Sequence, residues 1–182
     1  SREYVVIRHM ATHSKHILCI GGGLLGLPVA KHFAKNHEVT IIKRSPVENA
    51  LGITVNCADI SNPLELERAL PEKIDIILYC LSPTEFTEAG YRKAFPLGIA
   101  NLLSALRNKQ TSPQQLLFVS STSVYHQNDN TTITEDSPTL PSAFSGKALI
   151  EAEHQLQGAR EQTHDALATE TTNATNEHYE QQ

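Results

Sequence analysis

The chain has 182 residues, 40% of them hydrophobic, which suits one α/β domain with a buried core. A formal net charge of -5 leaves no basic face of the kind that tracks a phosphate backbone, so a small molecule is expected as ligand and nucleic acid is not. No stretch approaches the ~20 apolar residues of a membrane span and no signal peptide pattern opens the chain, so a cytoplasmic protein is expected. Cys19, Cys57 and Cys80 each sit in an apolar, strand-like run, without the short spacings of a zinc site or a redox dithiol. All three are expected to be buried, reduced thiols. The nine histidines share no face at ligand spacing, and no metal site is expected.

Residues 1–15 are mixed and polar, and read as an N-terminal extension. From His16 short β-type runs alternate with helical segments, the pattern of parallel βαβ units. Ile17 to Ile20 is the first strand, and Leu24 to Ala34 carries apolar residues at helical spacing, with Pro28 tolerated in the first turn. Val39 to Ile42 and Ile53 to Cys57 are the second and third strands. Asn62-Pro63-Leu64-Glu65 reads as an N-cap, a proline at N1 and a capping-box glutamate, opening a helix to Leu70. The near-continuous apolar run from Ile74 to Leu81 suits a central parallel strand. A helix through Ala100, Leu102, Leu103 and Leu106, a fifth strand from Leu116 to Val119 and a helix from Ala148 to Leu156 complete the pattern. The doubly wound, Rossmann-type domain therefore covers residues 16–157, with strand order 3-2-1-4-5 expected from right-handed crossovers. Residues 158–182 are polar and expected to be disordered, with too little apolar content for a further core strand.

Gly21-Gly22-Gly23-Leu24-Leu25-Gly26 is a GxGxxG lying between a strand and a helix, the context that makes this string a dinucleotide-binding signal. Gly21 permits the tight turn, Gly23 lets the backbone approach a pyrophosphate, and Gly26 lets helix and strand pack closely. The diphosphate then meets the helix N-terminus at Leu24 and Leu25. An NAD-selective site usually places an acid about 20 residues beyond the first glycine, but the second strand here ends in Lys43-Arg44-Ser45. Two cations and a hydroxyl suit the 2′-phosphate of NADP; a solvated basic turn would have the same sequence. Asp59, after the third strand, is placed either to accept from the adenine amino group or to serve as a turn residue.

Leu116 to Tyr125 is an apolar strand ending in four hydroxyl residues, at the sheet end where ligands gather. With the glycine loop, Gly98-Ile99-Ala100-Asn101-Leu102-Leu103 and Ser145-Gly146-Lys147, it resembles the NAD-dependent epimerase/dehydratase group of the short-chain dehydrogenase/reductase superfamily. The shorter glycine loop is similar to that of the atypical subgroup. The resemblance implies a serine after the fifth strand that orients substrate, matched by Ser121, and a lysine that holds the nicotinamide ribose, matched by Lys147. It implies a catalytic tyrosine at the position of Ala143, whose methyl group exchanges no proton. Thr122-Ser123 stand where the dehydratases carry an Asp-Glu pair, which disfavours dehydration. A homodimer pairing through the helices after strands four and five is also implied. Three expectations follow: an NADP- or NAD-linked oxidoreductase or epimerase acting on a small, sugar-like substrate; a non-catalytic NADP-binding sensor or scaffold; or an incomplete, C-terminally truncated copy of such an enzyme.

Overall fold

The structure is a computed structural model that describes residues 13–22, 26–46, 52–119 and 144–179, with side chains of the last helix described to residue 162. Five parallel strands form one sheet: β1 (His16–Ile20), β2 (Glu38–Lys43), β3 (Ile53–Cys57), β4 (Ile76–Tyr79) and β5 (Gln115–Phe118). Their order is β3-β2-β1-β4-β5, as the sequence predicts. Between them run α1 (Gly26–Phe33), α2 (Pro63–Ala69), α3 (Glu88–Arg92), a π-helical turn (Lys93–Leu97) and α4 (Gly98–Asn108), with α5 (Phe144–Tyr179) after β5.

β1 holds the centre because it can be buried on both faces. Successive side chains of a strand point to opposite sides. Ile17 and Cys19 therefore face Ala30 of α1 together with Val39, Ile41 and Ile76, while Leu18 and Ile20 face the opposite layer. There they join Ile42, Ile77 and Tyr79 of the sheet, Leu66 of α2, Ile99 and Leu102 of α4, and Leu149 and Ala152 of α5. The registers Ile17↔Val39 and Ile17↔Ile76 align the three central strands so that the apolar rows stack.

The edge explains one correction. Cys57 was expected to be a buried thiol, yet it is exposed, whereas Cys19 and Cys80 are buried. Among the described residues β3 pairs only with β2, and none of its side chains is fully buried, Thr54 and Cys57 being exposed, so an apolar-looking run here is not a covered one.

Local signals set the helix starts. Asn62 Oδ1 accepts from the amides of Leu64 and Glu65, both at 3.2 Å, and Pro63 follows at the first helical position. Glu65 does not complete the expected capping box. The Asn62 amide donates to the Asp59 carbonyl at 3.0 Å, and the Glu65 carboxylate accepts instead from the Asp59 amide at 3.1 Å and from Asn62 Nδ2 at 3.2 Å. The helix start is thereby tied to the loop that follows β3. Thr87 caps α3 by accepting from the Gly90 amide, a start that Pro96 conceals in the sequence because a proline reads as a helix break. The last helix begins at Phe144 and continues past Gln157, where the composition turns polar, to Tyr179.

Candidate cofactor site

A cleft of about 270 Å³ opens at the carboxyl ends of β1, β2 and β4, beside the point where the strand order reverses. That volume is slightly below the ~300–1,000 Å³ of typical small-molecule sites.

The floor is the glycine turn after β1. Gly21 has φ +88° and is buried, and a Cβ there would stand 2.9 Å from the Cys80 carbonyl oxygen, so both conformation and space demand glycine. Gly26 has no room either: a Cβ would meet the Gly21 carbonyl and, at 2.9 Å, Cys80 Sγ. This contact sets how closely α1 approaches the sheet. Gly23, Leu24 and Leu25 lie outside the described residues.

Lys43, Arg44 and Ser45 bring the end of β2 to the cleft. The Lys43 chain lies along the turn, with its Cδ 3.3 Å and its Nζ 3.8 Å from where a Cβ on Gly22 would stand. A larger residue at Gly22 would push this ammonium aside.

Asp59 and Ser61 form the wall after β3. Asp59 Oδ1 accepts from the Ser61 amide at 2.9 Å and from the Ser61 hydroxyl at 2.8 Å. These bonds, with smaller contributions from the Arg44 and Lys93 charges, hold the Asp59 carboxyl below its ordinary range. Oδ2 accepts nothing among the described residues and is free for a donor from a ligand. The loop is braced from beneath, where Asn101 Nδ2 of α4 donates to the Ile60 carbonyl at 2.9 Å. Ser82, Pro83 and Thr84 after β4, and Lys93 and Ala94 of the π-helical turn, also line the cleft.

Sequence reasoning thus named Gly21, Lys43, Arg44 and Asp59, which the fold brings to one cleft, and missed Ser61, Thr84 and Lys93. Ser61, two residues beyond Asp59, has the spacing of an Asx turn and was legible. Lys93 carried no signal, because its place depends on the π-helical turn. Lys147 is exposed on the first turn of α5 and is not among the residues lining the cleft. Ser121 and Ala143 lie outside the described residues. Among the described residues no group of three His, Cys, Asp or Glu could hold a metal ion, and no helix is long and apolar enough to cross a membrane.

The glycine cradle and its basic lip fit the phosphates and ribose of a nucleotide. The model of the NAD dependent epimerase/dehydratase family matches residues 17–178. The chain belongs to this family. Among solved structures it is similar to a protein from Methylobacillus flagellatus provisionally assigned as an NAD-dependent epimerase/dehydratase, with 34% identity and a TM-score of 0.61 over 80% of this chain and 50% of that one. It shares its fold with ADP-L-glycero-D-manno-heptose-6-epimerase of Helicobacter pylori, at 22% identity and a TM-score of 0.64, covering 81% and 52% of the two chains. WbmG of Bordetella bronchiseptica, solved in complex with NAD, gives 22% identity and a TM-score of 0.65, covering 81% and 50%. The chain therefore spans about half the length of the family structures it matches. No curated protein matches it.

Proposed function

We propose that this epimerase/dehydratase family chain binds NADP in the cleft above β1 and serves hydride transfer to or from a small, sugar-like substrate. The observation that carries this reading is the basic end of β2, Lys43 and Arg44 with Ser45, at the mouth of a cleft whose floor has no room for a side chain at Gly21. An acid at the end of β2 would repel a 2′-phosphate, whereas a guanidinium and an ammonium attract it through charge-assisted hydrogen bonds.

The division of labour then follows from the residues. The glycine turn and the start of α1 take the pyrophosphate, with Gly23, Leu24 and Leu25 of the motif supplying backbone amides. Asp59, held ionised by Ser61, presents Oδ2 to the adenine amino group. NADP, once bound, supplies the hydride acceptor or donor. Lys147 holds the nicotinamide ribose and Ser121 orients the substrate, by their match to the family motif. Ala143 occupies the place of the family's tyrosine and offers no proton, so acid/base exchange at the substrate oxygen falls to another group or is lost. In the latter case the chain works as a cofactor-binding module without turnover, and Ala143 is the specific residue that favours this second reading.

Calorimetric titration with NADPH and NADH tests the proposal. NADPH is expected to bind more tightly, and Gly23→Asp to abolish binding by setting a carboxylate against the pyrophosphate. Absence of binding by the folded chain overturns the cofactor assignment; equal affinity for both overturns the NADP preference.

A further inference from the structure

The cleft holds a cation that the glycine motif and the end of β2 do not account for. Lys93 stands where α3 passes into the π-helical turn, and it lines the same cleft as Lys43, Arg44 and Asp59. The turn is built to hold it there. Pro96 lies inside and has no amide to continue an ordinary helical ladder, so the backbone takes the wider π path. Ala94, Phe95 and Pro96 are buried while Lys93 stays exposed at the cleft. The buried Tyr79 hydroxyl, from the end of β4, donates to the Ala94 carbonyl and ties the turn to the sheet one residue beyond Lys93. Gly98 lies against the same hydroxyl and leaves no space for a Cβ.

The charges of the cleft say what such a lysine is for. Its lining contains three cations, Lys43, Arg44 and Lys93, against the single carboxylate of Asp59, in a chain whose net charge is -5. Among the described residues none of the three belongs to an ion pair within 4.0 Å. An excess of positive charge in one cleft of an acidic protein complements a polyanionic ligand. Lys93, at the start of the π-helical turn, and Arg44, just after β2, line the same cleft as Asp59, which puts Lys93 at the end of the cleft assigned above to adenosine.

We propose that Lys93 is a further specificity-determining residue, gripping the 2′-phosphate of NADP together with Arg44. This rests on the NADP reading above. A single charged contact to phosphate from a rigid turn is worth about tenfold in affinity.

The test is calorimetric titration of the whole chain with NADPH, NADH, adenosine 2′,5′-bisphosphate and 5′-AMP, for wild type, Arg44→Ala, Lys93→Gln and Lys93→Arg. Lys93→Gln is expected to weaken NADPH and the bisphosphate about tenfold. NADH and 5′-AMP should move less than about twofold, and Lys93→Arg should restore most of the loss. Unfolding midpoints by circular dichroism verify that the variants fold; as the Lys93 side chain is exposed, they should match wild type. Equal losses for NADPH and NADH, or no loss for either, overturn the inference. The underlying reading is judged separately by wild type and Arg44→Ala. If wild type shows no preference for NADPH, both statements fall; if it prefers NADPH and loses this with Arg44→Ala but not with Lys93→Gln, only the role of Lys93 falls.

Discussion

Asp59 shows how one residue can serve a site before any ligand arrives. Two hydrogen bonds from Ser61 occupy Oδ1, orient the carboxylate and favour its ionised form. Because the folded state lowers the pKa below the ordinary 3.8, Asp59 contributes stability above that pH. The contribution fades as pH falls through the lowered value, and it is small because the group is only partly buried and solvent screens it. Ser61→Ala removes the hydroxyl bond but keeps the backbone amide, so it should move the Asp59 titration part of the way back toward 3.8, measured by carboxyl carbon shifts in NMR; an unmoved midpoint would mean that the Ser61 amide, not its hydroxyl, holds the carboxylate. The thiols separate just as clearly. Burial, and then the nearby Cys80, pushes Cys19 up to about 12, and burial pushes Cys80 up to about 11. Both are protonated and shielded at neutral pH, whereas Cys57 is exposed. An aromatic disulfide reagent should therefore titrate one thiol in the folded chain and three in denaturant.

At the scale of elements, the central strand and the first turns of the helices carry different kinds of information. β1 is buried at Ile17, Leu18, Cys19 and Ile20, so its residues were recognisable as core from their unbroken apolar run. Leu18→Ala should cost about 2–5 kcal/mol, since a fully buried side chain leaves a cavity that its neighbours fill only in part. Leu64 on α2 is 66% exposed, and Leu64→Ala should change stability by less than about 0.5 kcal/mol. Denaturant unfolding of the two variants measures the contrast; comparable losses would mean that the sheet is less tightly packed at β1 than its burial indicates. Where capping chemistry was local, as at Asn62, the element was legible. α3 and the π-helical turn were not, because Pro96 reads as a terminator until the Tyr79 hydroxyl is seen to hold the bend.

For the molecule as a whole, the cleft lies at the ends of strands that are far apart in sequence, so ligand binding and folding are coupled. A nucleotide held between the turn after β1, the end of β2 and the loop after β3 bridges elements that would separate on unfolding. NADPH at a hundredfold excess over its dissociation constant should add about 2.7 kcal/mol to the unfolding free energy. Differential scanning calorimetry with and without NADPH reads this as a raised Tm, and an unchanged Tm would rule out tight binding to the native state. The chain covers about half of the length of its structural neighbours.

The alternation of strands and helices, the strand order and the glycine turn were legible in the sequence, because they rest on apolar runs of strand length, right-handed crossovers and a GxGxxG string between a strand and a helix. Tertiary structure alone decided which apolar runs are covered and which distant residues meet. Cys57 looked like core but lies on β3, beyond which no strand pairs among the described residues. Lys93 looked like any surface lysine, yet a proline, a tyrosine hydroxyl and the end of β4 carry it into the same cleft as Lys43 and Arg44, 50 and 49 residues earlier in the chain. Proximity of that kind is a property of the packed sheet, and no local pattern encodes it.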